Sequence, residues 1–181
     1  MNNENELDKL AIPILNQILT EAQDKWNNPN SKYISYRKLQ IDKRGSFGER
    51  ILKEFLSKIY YRRITIEYND GDQGDWDLKY NNIKFEIKTS SLDVNDKFQN
   101  EGLKEKGDYD IIFFLGIAPD DLYIKFVKIE DIPFKKLHNR EKRKTGRGYK
   151  WDFKKEQMKL ITSLKEFKDE FEKVVTPNKS K

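Results

Sequence analysis

The sequence predicts an α/β (α+β) domain in which a mixed central sheet is flanked by helices, giving three layers. Three observations carry this prediction: helical periodicity over Ser46–Ile59, a continuous apolar run at Tyr109–Gly116, and alternating apolar residues on both sides of Asn81–Asn82. A continuously apolar strand is typical of a position covered on both faces, whereas alternation is typical of a half-buried hairpin. Helices and strands that follow one another along a chain favour layered packing around one core.

Helices are predicted at four places, one of them a short helix at Tyr33–Leu39. Residues 5–26 carry apolar residues at helical spacing, with a kink at Pro13. Ser46–Ile59 and Ser163–Val175 each begin with a capping box, in which a serine and the glutamate three residues later cap each other's backbone.

Strands are predicted where apolar residues alternate or run together between turn residues. They cover Ile64–Tyr68, Trp76–Tyr80, Ile83–Thr89, Tyr109–Gly116, Leu122–Ile129 and Gly148–Phe153. Ser90–Lys106 shows no such pattern and is predicted to be a loop. The three tryptophans, Trp26, Trp76 and Trp151, are expected to lie in the core.

The 181 residues fit a single domain. Its predicted parts are a helical N-terminal part (1–44), a central core (45–129), a basic segment with the closing helix (130–175) and a frayed tail (176–181).

Composition narrows the possible chemistry. The chain has no cysteine and one histidine, His138, which excludes disulfides, thiolate sites and mechanisms that need two histidines. A metal must then bind mainly through oxygen, which suits Mg²⁺ and Mn²⁺. The net charge of +5 is compatible with a polyanionic partner. Residues 1–9 are polar and the longest apolar run is short, so we expect a cytoplasmic protein that does not enter a membrane.

The predicted hairpin brings two carboxylates together. With Asn81–Asn82 as a two-residue turn, the apolar residues of both strands share one face. On the other face Asp77 lies opposite Glu86, and Asp75 lies opposite Lys88. Directly opposite residues have Cβ atoms roughly 5 Å apart, a distance at which two carboxylates repel by about 3 kcal/mol.

A shared proton or a divalent cation offsets such repulsion, and at neutral pH the cation is favoured. Lys88 points to the same face as Glu86, where its ammonium can orient a metal-bound water or stabilise charge on a phosphate. Phosphodiester hydrolysis requires a cation, a positively charged side chain that stabilises the phosphate, and a substrate bound in position.

Asp77 followed by Glu86-Ile87-Lys88 on the next strand resembles the PD-(D/E)xK nuclease superfamily, and within it the type II restriction endonucleases. The resemblance implies that Asp77 and Glu86 bind Mg²⁺, with Mn²⁺ as a substitute. It also implies that the backbone carbonyl of Ile87 completes the metal shell and that Lys88 assists the attacking water. Glu49 matches the glutamate that the preceding helix often adds to this site.

The resemblance covers roughly Gly45–Ile129, the catalytic core of the predicted domain. It departs from the family pattern in the Gly74-Asp75-Trp76-Asp77 stretch, which lacks the usual proline, so a metal role for Asp75 stays open. The family implies double-stranded DNA as substrate, a homodimer that cuts both strands, and a companion DNA methyltransferase.

The strongest charge concentration lies at Lys135–Lys150. Eight basic residues and one acidic residue give this segment a net +7, more than the +5 of the whole chain. Such a segment is typical of contacts with DNA phosphates, although it also fits a solvated loop. The predicted DNA contacts are Lys135, Lys136, Arg140, Lys142, Arg143, Lys144, Arg147 and Lys150.

Two alternatives to a sequence-specific endonuclease follow from the same residues. A structure-specific nuclease, such as a Holliday-junction resolvase or a repair nuclease, keeps the chemistry and changes the DNA substrate. A nucleic-acid-binding protein without activity keeps the basic segment and leaves the carboxylates and Lys88 as a solvated sheet face.

Overall fold

The computed structural model describes residues 13–14, 25–26, 28–60, 66–68, 76–140 and 148–176. These residues include the two α-helices α1 (Ile41–Tyr60) and α2 (Leu164–Val175). The strands are β1 (Ile66–Tyr68), β2 (Leu78–Tyr80), β3 (Ile83–Ser91), β4 (Lys97–Leu103), β5 (Ile111–Ile117), β6 (Leu122–Lys128), β7 (His138–Asn139), β8 (Tyr149–Lys154) and β9 (Lys159–Ile161).

Six strands form the larger sheet, in the order β1-β2-β3-β5-β6-β9. β3 and β5 run parallel, whereas the other neighbouring pairs are antiparallel, so the sheet is mixed. Every residue of β5 is buried, as its continuous apolar sequence predicts. The predicted α/β (α+β) class with a mixed central sheet is confirmed.

Different layers cover the two faces of this sheet. Helices α1 and α2 pack on one face, where Leu52, Leu56 and two aromatic rings of α2 join the core. A three-stranded sheet, in the order β4-β8-β7, covers the other face through Phe98 and Phe153. Within the described part of the chain, the second flanking layer is therefore a sheet.

The prediction of a loop over Ser90–Lys106 is wrong, because the segment contains β4. Strand β4 pairs antiparallel with β8. Its outward residues include Gln99 and Glu101, while buried Asn100 interrupts the inward series. Polar residues on both faces hide the period of two that marks a strand.

Helix α1 begins at Ile41, before the predicted start at Ser46. The Ser46 hydroxyl contacts the carbonyl of Asp42 within the helix, so the predicted capping box is wrong. Gly45 does not interrupt the helix. Glu49 therefore lies in the interior of α1 and not in its first turn, where a capping residue would lie.

Some predictions fall outside the described residues. Of the predicted helix over 5–26, Pro13–Ile14 are helical, and most of the remainder lies outside. The predicted tail at 176–181 is described only at Thr176. Trp26 is buried, and its indole N–H donates to the carbonyl of Leu92. No helix in the described residues is both long and apolar enough to cross a membrane.

The predicted cap of α2 is present at Ser163. Its hydroxyl accepts a hydrogen bond from the backbone N–H of Glu166 at 3.2 Å. The Glu166 carboxylate does not close a capping box and instead accepts from the backbone N–H of Thr162 at 2.7 Å. The start of this helix is thus held by two side-chain acceptors.

Ser163→Ala is expected to lower the free energy of unfolding by about 1 kcal/mol, because a helix N–H loses its acceptor. Urea denaturation measures this loss. Ser57→Ala is the matched control, because Ser57 is exposed inside α1 and alanine favours a helix there. Equal effects of the two substitutions would contradict the capping role.

Candidate active site

The predicted hairpin is present. Asn81 has a φ of 55°, the left-handed conformation that asparagine tolerates in a two-residue turn. Tyr80 pairs with Ile83, and Leu78 pairs with Phe85, in the predicted register. These four residues face the helices, so the opposite face of β3 carries its polar side chains.

The hairpin departs from the predicted register at Asp77. The ladder of β2 and β3 ends at Leu78, and the N–H of Asp77 donates to Phe85 at 2.8 Å. Asp77 and Leu78 therefore share one partner residue, as in a β-bulge. The predicted pair of Asp77 and Glu86 directly opposite each other does not form. Asp75 lies outside the described residues, so its predicted place opposite Lys88 is not seen.

The bulge also moves Trp76. Its ring packs with the residues of the second face, whereas Leu78 and Tyr80 belong to the helix-covered face. The prediction that these three side chains share one face is wrong for Trp76. A bulge shifts the alternation of side chains by one residue, which explains the change.

The carboxylate of Asp77 is held against the backbone of β3. It accepts a hydrogen bond from the N–H of Ile87 at 2.6 Å. Because the N–H and the C=O of one strand residue point to the same side of the strand, the carbonyl of Ile87 also points toward β2. The carboxylate of Asp77 and the carbonyl of Ile87 therefore lie on the same side of β3.

Glu86 and Lys88 form a close ion pair on the face turned toward the small sheet. The Lys88 Nζ lies 2.5 Å from the Glu86 Oε1. Their side chains are 21% and 16% exposed, respectively for Lys88 and Glu86, so the pair is largely shielded from water. Their neighbours on β5, Ile112 and Phe114, are fully buried.

The environment raises the pKa of Asp77 from its usual 3.8 to about 7. Burial is the largest cause, and the negative charge of Glu86 is the next. The hydrogen bond from Ile87 lowers the pKa, as does the charge of Lys88, whereas the charge of Glu49 raises it. The anion of Asp77 is therefore destabilised, and an added positive charge beside it would stabilise it.

The donor set fits a divalent cation that prefers oxygen. Asp77 and Glu86 offer carboxylates, and Ile87 offers a backbone carbonyl. Mg²⁺ typically binds one or two carboxylates and completes its shell with water and phosphate oxygens. No group of three or more Asp, Glu, His or Cys side chains placed to hold a metal occurs within the described ranges. The arrangement thus offers two side-chain ligands, and the charge of Glu49 raises the pKa of Asp77. The catalytic and metal-binding role predicted for Glu49 stays a prediction.

Asp77→Asn is expected to make folding stability less dependent on pH. The folded protein resists ionisation of Asp77 until about pH 7, whereas the unfolded chain ionises it near 3.8, so stability falls as the pH rises between these values. The variant should match the wild type near pH 4 and exceed it by up to about 4 kcal/mol at about pH 8.

Urea denaturation in EDTA at both pH values measures this difference. Asp169→Asn is the matched control, because Asp169 is exposed on α2. A stability difference between Asp77→Asn and the wild type that stays constant with pH would contradict the prediction.

Half of the predicted DNA contacts can be placed. Lys135 and Lys136 are exposed in a 3₁₀ helix. Arg140 forms an ion pair with Glu101, and Lys150 contacts Gln99 at 2.8 Å and Asp152 at 3.2 Å. The other predicted contacts, Lys142, Arg143, Lys144 and Arg147, lie outside the described residues, and His138 is exposed in β7.

Comparisons with known proteins add a fold likeness alone. No protein-family model matches the chain, and no curated protein matches it. Among solved structures, the chain is similar to a bacterial homing endonuclease, I-Ssp6803I, with 12% identity over 64% of this chain and 75% of that chain. The TM-score is 0.40. A likeness of this size says nothing about the activity of this chain.

Proposed function

We propose that the protein is a Mg²⁺-dependent endonuclease that cleaves double-stranded DNA, of the sequence-specific type II restriction class. The observation that carries the proposal is the shielded group formed by Asp77, Glu86 and Lys88. Two ionised carboxylates in a half-buried site repel each other, and a cation that prefers oxygen ligands offsets this repulsion.

The residues have separate roles in this proposal. Asp77, Glu86 and the carbonyl of Ile87 would hold the cation, with Mn²⁺ as a substitute. When bound, the cation lowers the pKa of water and polarises the phosphate. The hydrogen bond from Ile87 fixes the direction of the Asp77 carboxylate. Lys88 donates to the attacking water and to the phosphate oxygen that gains charge.

The substrate class follows from charge. Lys135 and Lys136 are exposed, and they belong to the segment Lys135–Lys150, which has a net charge of +7. Basic side chains at such density bind the phosphate backbone of nucleic acids. Cleavage of both strands favours two active sites, so we propose a homodimer, which light scattering during size-exclusion chromatography tests.

The test is incubation of the purified protein with unmethylated supercoiled plasmid and Mg²⁺, with EDTA as the control. Discrete fragments, whose ends are then sequenced, are the expected result. Cleavage of branched but not of linear duplex DNA would replace the proposal with a structure-specific nuclease. DNA binding that ignores Mg²⁺, without cleavage of any substrate, would overturn the nuclease proposal.

A further inference from the structure

Two buried side-chain oxygens between the two sheets, Ser90 Oγ and Asn100 Oδ1, have no hydrogen-bond partner among the described residues. Ser90 is 8% exposed and Asn100 is 3% exposed. A buried oxygen without a donor is unfavourable and uncommon in native proteins. Where two occur beside one charged group, they indicate a place that receives a hydrogen-bond donor in another state of the protein.

Ser90 lies on the same face of β3 as Glu86 and Lys88, because side chains alternate along a strand. Lys88 is the middle residue of the three, roughly 7 Å along the strand from each neighbour. Its long, flexible side chain can direct the ammonium either toward Glu86 or toward Ser90. In the present structure the ammonium is at Glu86.

Asn100 approaches this face from the small sheet. Phe98 lies against Gly116, where an added Cβ would come within 2.9 Å of its ring, and Gly116 pairs with Ser90. The bridge between Leu92 and Phe98 is antiparallel, so β4 runs back along β3 from this point. Asn100 is the next inward residue of β4, which brings its side chain toward Ser90.

A second set of contacts fixes the same position. Asn100 pairs with Trp151 across the small sheet, and the ring of Trp151 meets that of Phe114 at 5.9 Å. Phe114 in turn pairs with Lys88 on the large sheet. Asn100 uses its Nδ2 for the carbonyls of Phe98 and Trp151, which leaves Oδ1 as the acceptor.

We propose that Ser90 and Asn100 are positioning residues for Lys88, an inference that rests on the proposed function. When Glu86 turns to the cation, Lys88 loses its acceptor, and Ser90 Oγ and Asn100 Oδ1 receive the ammonium. An ammonium has three donors. Two acceptors on the inner side leave the remaining donor directed outward, to the water and the phosphate.

Ser90→Ala tests the inference, with Thr89→Val as the matched control. Thr89 also carries a buried oxygen without a partner in the described chain, on the adjacent residue, but it faces Gly48 of α1 on the opposite side. Ser90→Ala should lower kcat for DNA cleavage roughly tenfold to 100-fold, with KM for DNA unchanged. Thr89→Val should leave kcat unchanged.

Unfolding midpoints in EDTA provide a readout that does not depend on activity. Both substitutions remove an oxygen without a partner, so both midpoints should stay the same or rise. A double-mutant cycle with Asn100→Ala should show coupling, with the double variant little slower than Ser90→Ala alone.

Each outcome is decisive. Wild-type kcat in Ser90→Ala overturns the inference and leaves the proposed function intact, as does a lowered midpoint, which marks a structural role. Absence of cleavage by the wild type overturns both. A slow Ser90→Ala variant with an undiminished midpoint and an active Thr89→Val variant supports the inference.

Discussion

Glu86→Gln is expected to reduce DNA cleavage by roughly 10³-fold or more, which corresponds to about 4 kcal/mol of transition-state stabilisation. Glutamine preserves the shape of the side chain and removes its charge. The variant loses one of two carboxylates that would hold the cation and also the anion that pairs with Lys88 at 2.5 Å. The pKa of Asp77 should fall as well, because the charge of Glu86 raises it.

Single-turnover plasmid cleavage measures the loss, and fluorescence anisotropy with labelled duplex DNA shows whether binding persists.

Lys88→Ala should reduce the rate of DNA cleavage by a similar factor, because the variant lacks the ammonium. Lys84→Ala is the matched control, because Lys84 lies on the same strand and face and pairs with Asp108 at 2.5 Å. Equal loss in Lys84→Ala and Lys88→Ala would contradict a specific role for Lys88.

Gly48→Ala is expected to lower the free energy of unfolding by roughly 1–3 kcal/mol, the usual range for an overpacked contact. A Cβ at Gly48 would lie 1.9 Å from the Thr89 hydroxyl and 3.3 Å from a methyl group of Ile87. Rotation of the Thr89 side chain leaves its Cβ 3.2 Å from the added atom, so rotation gives only partial relief. Helix α1 must then move away from β3.

Gly45→Ala is the matched control within the same helix. Nothing lies within 4 Å of a Cβ at Gly45, so the substitution should raise stability by up to about 1 kcal/mol through helix propensity. Urea denaturation compares the two variants. Thr89→Ala should reduce the penalty at Gly48, since it removes the nearest atom. Equal stabilities of the two glycine variants would contradict the close contact between α1 and β3.

Much of the site could be predicted because it depends on a short-range pattern. The turn at Asn81–Asn82 and the alternation of apolar residues fix the face on which Glu86 and Lys88 lie. The bulge at Asp77 could not be predicted, because one extra residue in a strand leaves no compositional trace. It replaces a direct pair with Glu86 by a hydrogen bond from Ile87.

The errors in the fold have similar physical reasons. Ser46 and Glu49 have the spacing of a capping box, yet the helix begins at Ile41, where Arg44 donates hydrogen bonds to the carbonyls of Leu39 and Arg37 in the preceding segment. Strand β4 could not be predicted, because its partner β8 is distant in the sequence and pairing between strands overrides weak local preference. The predicted fold therefore gives Asn100 no partner strand, whereas in the structure Asn100 pairs with Trp151 in the small sheet.

Both faces of the six-stranded sheet are covered in part by segments that follow residue 148, namely β8 on one face and α2 on the other, beside α1 and β4. The apolar strand β5 is therefore not fully covered during folding until the last part of the chain docks. Contacts this distant in sequence slow folding, because the intervening chain must first lose its conformational freedom. A refolding intermediate with an uncovered β5 has the properties that lead to aggregation, so yield on refolding should depend strongly on protein concentration.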